Sequence, residues 1–342
     1  MKKLLQRPIF KAALRLLMLS TFMLSLTACA QQPAGFGNSQ EGKKDTTMNS
    51  ANHPYMAETK IQNVASDPVF QGKGRLIFPL YRTIPSGAAL SDMGDYLPWY
   101  SNIRTDVTTA VLNRLKEDAA AGKQVIYPLY DEAEMQQDPE KRNTGLVFFR
   151  GKKGAKTAIV NAGGGFMYVG AIHDSFPHAL ALSELGYNAF CPIYRPDAQL
   201  ACEDLSRAIV FLFAHQKELG IDMNHYSLWG GSAGARMADW VGMYGTAAFG
   251  EQDKPRPAAI VMAYTGLSEV TGKEPPTYSV VGTSDGIASY RGMQYRTQQL
   301  SKAGIDAEIE VFPGLSHGFG TGKGTVADGW INRAVKFWEK HS

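Results

Sequence analysis

The chain has 342 residues, 44% of them hydrophobic and 20% charged, with 35 Gly and 17 Pro. That is ordinary globular composition, which excludes a disordered or collagen-like chain, and the length fits one or two domains. The formal net charge is only +3, and no basic patch points to nucleic acid as a partner.

The first segment, residues 1–28, reads as a secretory signal. Lys2, Lys3, Arg7, Lys11 and Arg15 form a basic head without an acid, and an apolar run follows from Leu16 to Leu26. That run is too short for a membrane span, which needs about 20 residues. Its ending, Leu26-Thr27-Ala28-Cys29, resembles the bacterial lipobox. The resemblance implies that Cys29 is lipidated and becomes the new N-terminus. The mature chain is then extracytoplasmic and anchored to a bacterial membrane, the outer one if the source has two, because Ala30 rather than an acid follows. A cleaved signal that merely contains a cysteine is the alternative. Cleavage before Cys29 takes the net charge from +3 to −2, so the basic character belongs to the precursor. Residues 29–53 are polar and rich in Gly, Ser and Asn, and read as a flexible tether.

Residues 54–124 hold one expected helix, with Val107, Val111, Leu112 and Leu115 at helical spacing and Gly122 near its end. The segment is expected to cap an active site or to cover a sheet edge. From Gln124 onward, apolar runs of strand length alternate with amphipathic stretches. "VIYPLY" and "GLVFFRG" read as strands; "KTAIVNAGGGF" is a strand running into a glycine turn. The helix "SFPHALALSELGY", the strand "NAFCPIYR" and the long helix "QLACEDLSRAIVFLFAHQKELG" come next. The strand "YSLWG" turns into the helix "ARMADWVGMYG". "PAAIVMAYT" and "TYSVVGTSDG" are strands, "YRGMQYRTQQLSKAG" a helix, "AEIEVFPG" a strand and "TVADGWINRAVKFWEKH" the closing helix. The pattern predicts an α/β fold, a mostly parallel, doubly wound sheet with helices on both faces. Cys191 and Cys202 match no zinc or C-x-x-C spacing; an oxidising compartment permits a disulfide between them, but Cys191 lies in a strand-like run, where a buried free thiol is expected.

In an open parallel sheet, ligands bind beyond the carboxyl ends of the strands. Beyond "YSLW" lies Gly230-Gly231-Ser232-Ala233-Gly234, a G-x-S-x-G turn between strand and helix, which suits a nucleophilic serine. Gly314–Gly318 matches the same pattern, but Ser316 is followed by a glycine-rich stretch rather than a helix and is rejected. Beyond "KTAIV" lies "NAGGGF", whose backbone amides suit an oxyanion hole; the donors expected are Gly164, Gly165 and Ala233. A flexible loop or a phosphate cradle is the alternative, but the loop lacks the G-K-[ST] ending of a P-loop. Asp285 and His317 follow two later strands, giving the order Ser232, Asp285, His317. Asp285 could instead be a turn residue, since Asp-Gly turns are common. His173, Asp174 and His178 lack the spacing of a zinc helix and read as surface or cap residues, Asp204 as a helix cap or brace, and Trp99 and Tyr100 as core packing, with an acyl-pocket lining or a sugar platform as the alternative. No metal or cofactor is expected.

Residues 125–342 resemble the α/β-hydrolase superfamily. Within it "AGGGF", "GGSAG" and "GLSHGFG" are similar to acetylesterases, acetylxylan esterases and feruloyl-esterase-like proteins. The resemblance implies a metal-independent serine carboxylesterase acting on short acyl, above all acetyl, esters of small molecules or glycans, within one hydrolase domain over 54–342. Asn161-Ala162 stands where hormone-sensitive-lipase-type enzymes carry a histidine, which departs from that branch. A serine peptidase of the same fold and a non-catalytic surface-binding lipoprotein are the competing readings.

Overall fold

The computed structural model describes residues 53–80 and 82–342; the signal segment, Cys29 and all of the tether but His53 lie outside them. Eight strands form one sheet: β1 (Ile126–Tyr127), β2 (Gly145–Phe149), β3 (Lys156–Asn161), β4 (Asn188–Ile193), β5 (Asp222–Gly231), β6 (Ala259–Ala263), β7 (Thr277–Gly282) and β8 (Ala307–Phe312). Their order is β1-β2-β4-β3-β5-β6-β7-β8. β2 pairs antiparallel with both β1 and β4, and β4-β3-β5-β6-β7-β8 is parallel throughout. The parallel strands therefore present their carboxyl ends along one edge, with β5 in the middle.

Nine helices accompany the sheet among the described residues. They are α1 (Ile61–Ala65), α2 (Thr105–Ala120), α3 (Glu132–Gln137), α4 (Ala171–Asp174), α5 (Phe176–Glu184), α6 (Ala198–Leu219), α7 (Ala233–Tyr244), α8 (Tyr290–Lys302) and α9 (Trp330–Lys340). Every residue of β2, β4, β6 and β7 is buried, with no alternation, so both faces of the sheet are covered. α5 packs on α2, α9 and strands β2 to β4, and α7 packs on α6 and strands β3, β5 and β6. Cys191 and Cys202 are both buried and unpaired, so the disulfide alternative is not formed.

Local signals account for the element ends. α6 starts where the Asp197 side chain accepts from the amides of Gln199 and Leu200, and stops at Gly220, whose φ is +66°. The closing helix is shorter than its sequence suggests. Residues 325–329 form turns, and Gly329 at φ +77° stands just before Trp330, because a residue in that conformation cannot continue a right-handed helix.

The N-terminal segment is continuous with the main core: Ile61, Val64, Phe70, Ile77, Leu90, Met93 and Leu97 are buried in the same apolar cluster as the sheet. In α2, Val111, Leu112 and Leu115 are fully buried, while Val107 is half-buried. At the start of the segment, Tyr55 exchanges hydrogen bonds with the Asn113 side chain, its amide at 2.6 Å and its carbonyl at 3.0 Å. The Tyr55 hydroxyl donates to Asp67 at 2.6 Å, and Lys116 lies over its ring and 3.3 Å from Asp67.

Candidate active site

β5 ends at Gly231 and α7 begins at Ala233, so Ser232 sits alone at the corner, with φ +52° and ψ −116°. A non-glycine residue held there is strained, and the strain is sustained by its surroundings. The Ser232 amide is pinned to the Ala263 carbonyl at the end of β6, 2.9 Å away. The serine side chain does not cap its own helix. Its Oγ instead lies 3.1 Å from Nε2 of His317, on the loop after β8.

The other face of that imidazole meets Asp285, on the turn after β7, with Nδ1 2.8 Å from Oδ2. The Asp285 carboxylate is fully buried, and its Oδ1 accepts from the amides of Ile287 at 2.8 Å and Ala288 at 2.7 Å. Asp285 is thus both a turn residue and the partner of His317: the turn amides hold one oxygen and aim the other. A neutral imidazole with its proton on Nδ1 donates to Asp285 and leaves the Nε2 lone pair for the serine hydroxyl. Ser316, the rejected candidate, is exposed on a loop.

The glycine loop runs past the same corner. A Cβ on Gly163 would come 2.9 Å from the Ser232 Cβ. Gly164 and Gly165 have φ of +123° and +62°, and Phe166 continues at +59°. Glycine meets this backbone without steric cost, and it also meets the space available: a Cβ at Gly164 would lie 2.2 Å from the Tyr168 carbonyl oxygen. Among the described residues, the amides of Gly164, Gly165 and Ala233 donate to no protein acceptor. Asn161, which precedes the loop, is buried and donates from Nδ2 to the Trp229 carbonyl at 2.8 Å. It ties β3 to β5 beneath the site.

The structure overturns one expectation. His173, Asp174 and His178 are buried rather than on the surface or a cap. α4 and α5 run beneath the site, and segments distant in sequence close over them. Asp174 Oδ2 accepts from the Gly163 amide at 2.6 Å and faces the Tyr100 hydroxyl at 3.3 Å, while Oδ1 accepts from the Tyr264 hydroxyl. Burial pushes the Asp174 carboxyl up to about 6, against the opposing pull of Tyr264, the Gly163 amide, His317 and Tyr100. Burial likewise lowers His173, and lowers His178 to about 4, so both imidazoles are neutral near pH 7. His173 Nε2 bonds the Gly318 carbonyl at 2.9 Å, beside His317. One sequence signal marks Asp174: it is the only Asp, Glu, Lys or Arg between Lys156 and Glu184. Among the described residues, no group of three His, Cys, Asp or Glu is arranged to hold a metal ion.

The N-terminal segment reaches the site from above. A Cβ at Gly165 would meet the Trp99 ring at 2.8 Å, and one at Gly318 would meet Tyr100 at 2.5 Å. Trp99 also packs against Tyr168, with ring centroids 5.3 Å apart.

A nucleophile elbow on the central strand, with its acid and histidine beyond later strands of a mostly parallel eight-stranded sheet, defines an α/β-hydrolase fold. Residues 149–272 match the family model BD-FAE, a family of carboxylic ester hydrolases. That stretch contains the glycine loop, Asp174 and the elbow, and ends before Asp285 and His317. The chain is similar to the acetyl ester-xyloside bifunctional hydrolase from Caldicellulosiruptor lactoaceticus, at 24% identity over 63% of this chain and 95% of that one, with a TM-score of 0.53. It is also similar to a propionate-bound thermophilic esterase from the Planctomycetes species Thermogutta terrifontis, at 19% identity over 58% and 89%, TM-score 0.49. A third similar structure is an α/β hydrolase from a Medee basin deep-sea metagenome library, at 20% identity over 58% and 92%, TM-score 0.48. No curated protein matches the sequence.

Proposed function

We propose that the chain is a serine carboxylesterase that removes short acyl groups, acetyl above all, from small-molecule or glycan esters. The observation that carries this reading is the continuous chain from Ser232 through His317 to Asp285, at 3.1 and 2.8 Å, on a strained corner. Ser232 Oγ attacks the ester carbonyl carbon while His317 Nε2 takes its proton. The amides of Gly164, Gly165 and Ala233 receive the oxyanion, each such donor being worth about 3 kcal/mol in comparable sites. The intermediate collapses, the imidazolium protonates the departing alcohol, and an acyl-serine remains. Water, deprotonated by His317, then attacks the acyl-serine; its collapse returns the proton to Ser232 Oγ and releases the acid. Throughout, Asp285 fixes the tautomer and stabilises the imidazolium.

The rings of Trp99 and Tyr168 crowd the glycine loop, which suits a small acyl group. Acetylated xylosides are the glycan class proposed, supported by the BD-FAE match and by the acetyl ester-xyloside hydrolase among the similar structures. The chain is further proposed to be extracytoplasmic and held on a membrane by lipid on Cys29.

The test is hydrolysis of p-nitrophenyl acetate, butyrate and octanoate by the wild-type protein and Ser232→Ala. The expected rates fall with acyl length and drop by several orders of magnitude in the variant, which remains folded. Full activity in Ser232→Ala would overturn the mechanism. Cleavage of peptide amides but of no ester would transfer the site to a peptidase.

A further inference from the structure

Building on the esterase reading above, we propose that Asp174 is a positioning residue that sets the path of the oxyanion loop relative to the nucleophile elbow. Its carboxylate is buried at the end of α4 and is reached from four separate parts of the chain. From the glycine loop, Gly163 donates its amide at 2.6 Å. From the end of β6, Tyr264 donates its hydroxyl. From the N-terminal segment, Tyr100 approaches at 3.3 Å. From the elbow, Gly231 lies so close that a Cβ there would fall 2.3 Å from Oδ1.

The bond to Gly163 has a directional consequence. Gly163 is the first glycine of the loop, and its amide is taken up by the carboxylate. With that peptide fixed, the following turn at positive φ leaves the amides of Gly164 and Gly165 without protein acceptors. Oxyanion donors must be held to within a fraction of an ångström, and a misplacement of about 1 Å can cost about a hundredfold in rate. Tyr264 extends the same network to the histidine: its ring meets the His317 imidazole edge-on, with centroids 5.2 Å apart. Burying a carboxyl group is costly unless its bonds are made, and here each oxygen has a donor.

The role resides in the hydrogen bonds, so an amide can take it over. Asn at position 174 can direct its oxygen at Gly163 and Tyr100 and donate from its nitrogen to the Tyr264 hydroxyl oxygen. Ala cannot, and Ser is too short to reach Gly163. The full-length wild type is therefore compared with Asp174→Asn, Asp174→Ala and Asp174→Ser, the last standing in should the Ala variant fail to fold. Two readouts are taken: kcat and KM on p-nitrophenyl acetate, and amide hydrogen exchange over residues 161–170.

The Ala and Ser variants are expected to lose about a hundredfold in kcat with KM within about threefold. Exchange at the hydrogen-bonded amides of Gly163, Met167 and Tyr168 should rise at least about tenfold relative to the sheet strands in the same variants. Asp174→Asn should stay within about tenfold of wild type in kcat and keep the loop protected. Wild-type kcat in the Ala or Ser variant, or unchanged exchange at Gly163, Met167 and Tyr168, overturns the proposal. An Asn variant as impaired as the Ala variant also overturns it, because charge rather than placement would then be what matters. Exchange needs no turnover, so a wild type inactive on every ester would sink the esterase reading while the loop data still decide the role of Asp174.

Discussion

Asp174 lowers the stability of the fold in a pH-dependent way. Its carboxyl titrates near 6 in the folded protein against 3.8 for an unperturbed group, because burial disfavours the charged form. Between those values the folded state binds more protons than the unfolded state, so stability falls as pH rises through the window. Below it both states are protonated and the cost vanishes; above it the full cost is present. Asp174→Asn has no such titration. The stability of Asp174→Asn relative to wild type should therefore improve by about 3 kcal/mol from pH 3.5 to pH 7. Denaturant unfolding of both proteins at the two pH values checks this, and a difference independent of pH would contradict the assignment. Ser232, Asp285 and His317 were legible in sequence because each follows an apolar strand with a turn-forming neighbour, so the signal is local. Asp174 was misread because its partners come from Tyr100, Gly163 and Tyr264, and no local pattern records such contacts.

At the scale of elements, the join between β4 and α6 rests on a buried ion pair. Arg195, just past β4, is 2.7 Å from Asp204 within α6, and Asp204 also accepts the Arg195 amide at 2.7 Å and bonds the Tyr130 hydroxyl. Removing one member leaves the other charge buried and unpaired, which costs about 3–5 kcal/mol. Asp204→Ala is therefore expected to lower stability by that amount, measured by denaturant unfolding, while Asp204→Asn should lose less. Of the two sequence expectations for Asp204, a helix cap or a brace, the cap position belongs to Asp197 and Asp204 pairs with Arg195 from within α6. Most strands and helices were readable because burial on both faces writes continuous apolar runs and amphipathic helices write a 3.6-residue period. Residues 54–104 were not, because they fold as α1 and short 3-10 turns, such as Pro68–Phe70 and Leu90–Tyr96, whose burial follows no single period.

Across the whole molecule, the site gathers residues from the carboxyl ends of β3, β5, β7 and β8, as a parallel sheet allows. The N-terminal segment joins them rather than forming a separate lobe, since its apolar residues share the main core. That choice between cap and edge cover was not legible in sequence: α2 packs on α5, while Trp99 and Tyr100 touch the glycine loop and the His317 loop. The proposed anchor belongs to this scale too. Cys29→Ser should abolish incorporation of labelled fatty acid and move the protein from the membrane fraction to the soluble one; unchanged labelling would refute it.

The Tyr55 clamp has a mechanical meaning. Any pull exerted through the chain upstream of Tyr55 arrives at the Lys116 bond to the His53 carbonyl, the two hydrogen bonds with Asn113 and the Asp67 bond. These contacts pass the load into α2, which packs on α5 and on α4. The chain is thus fastened to α2 at Tyr55, like a cable clamped short of its terminal, some forty residues before it reaches Trp99 and Tyr100 beside the candidate site.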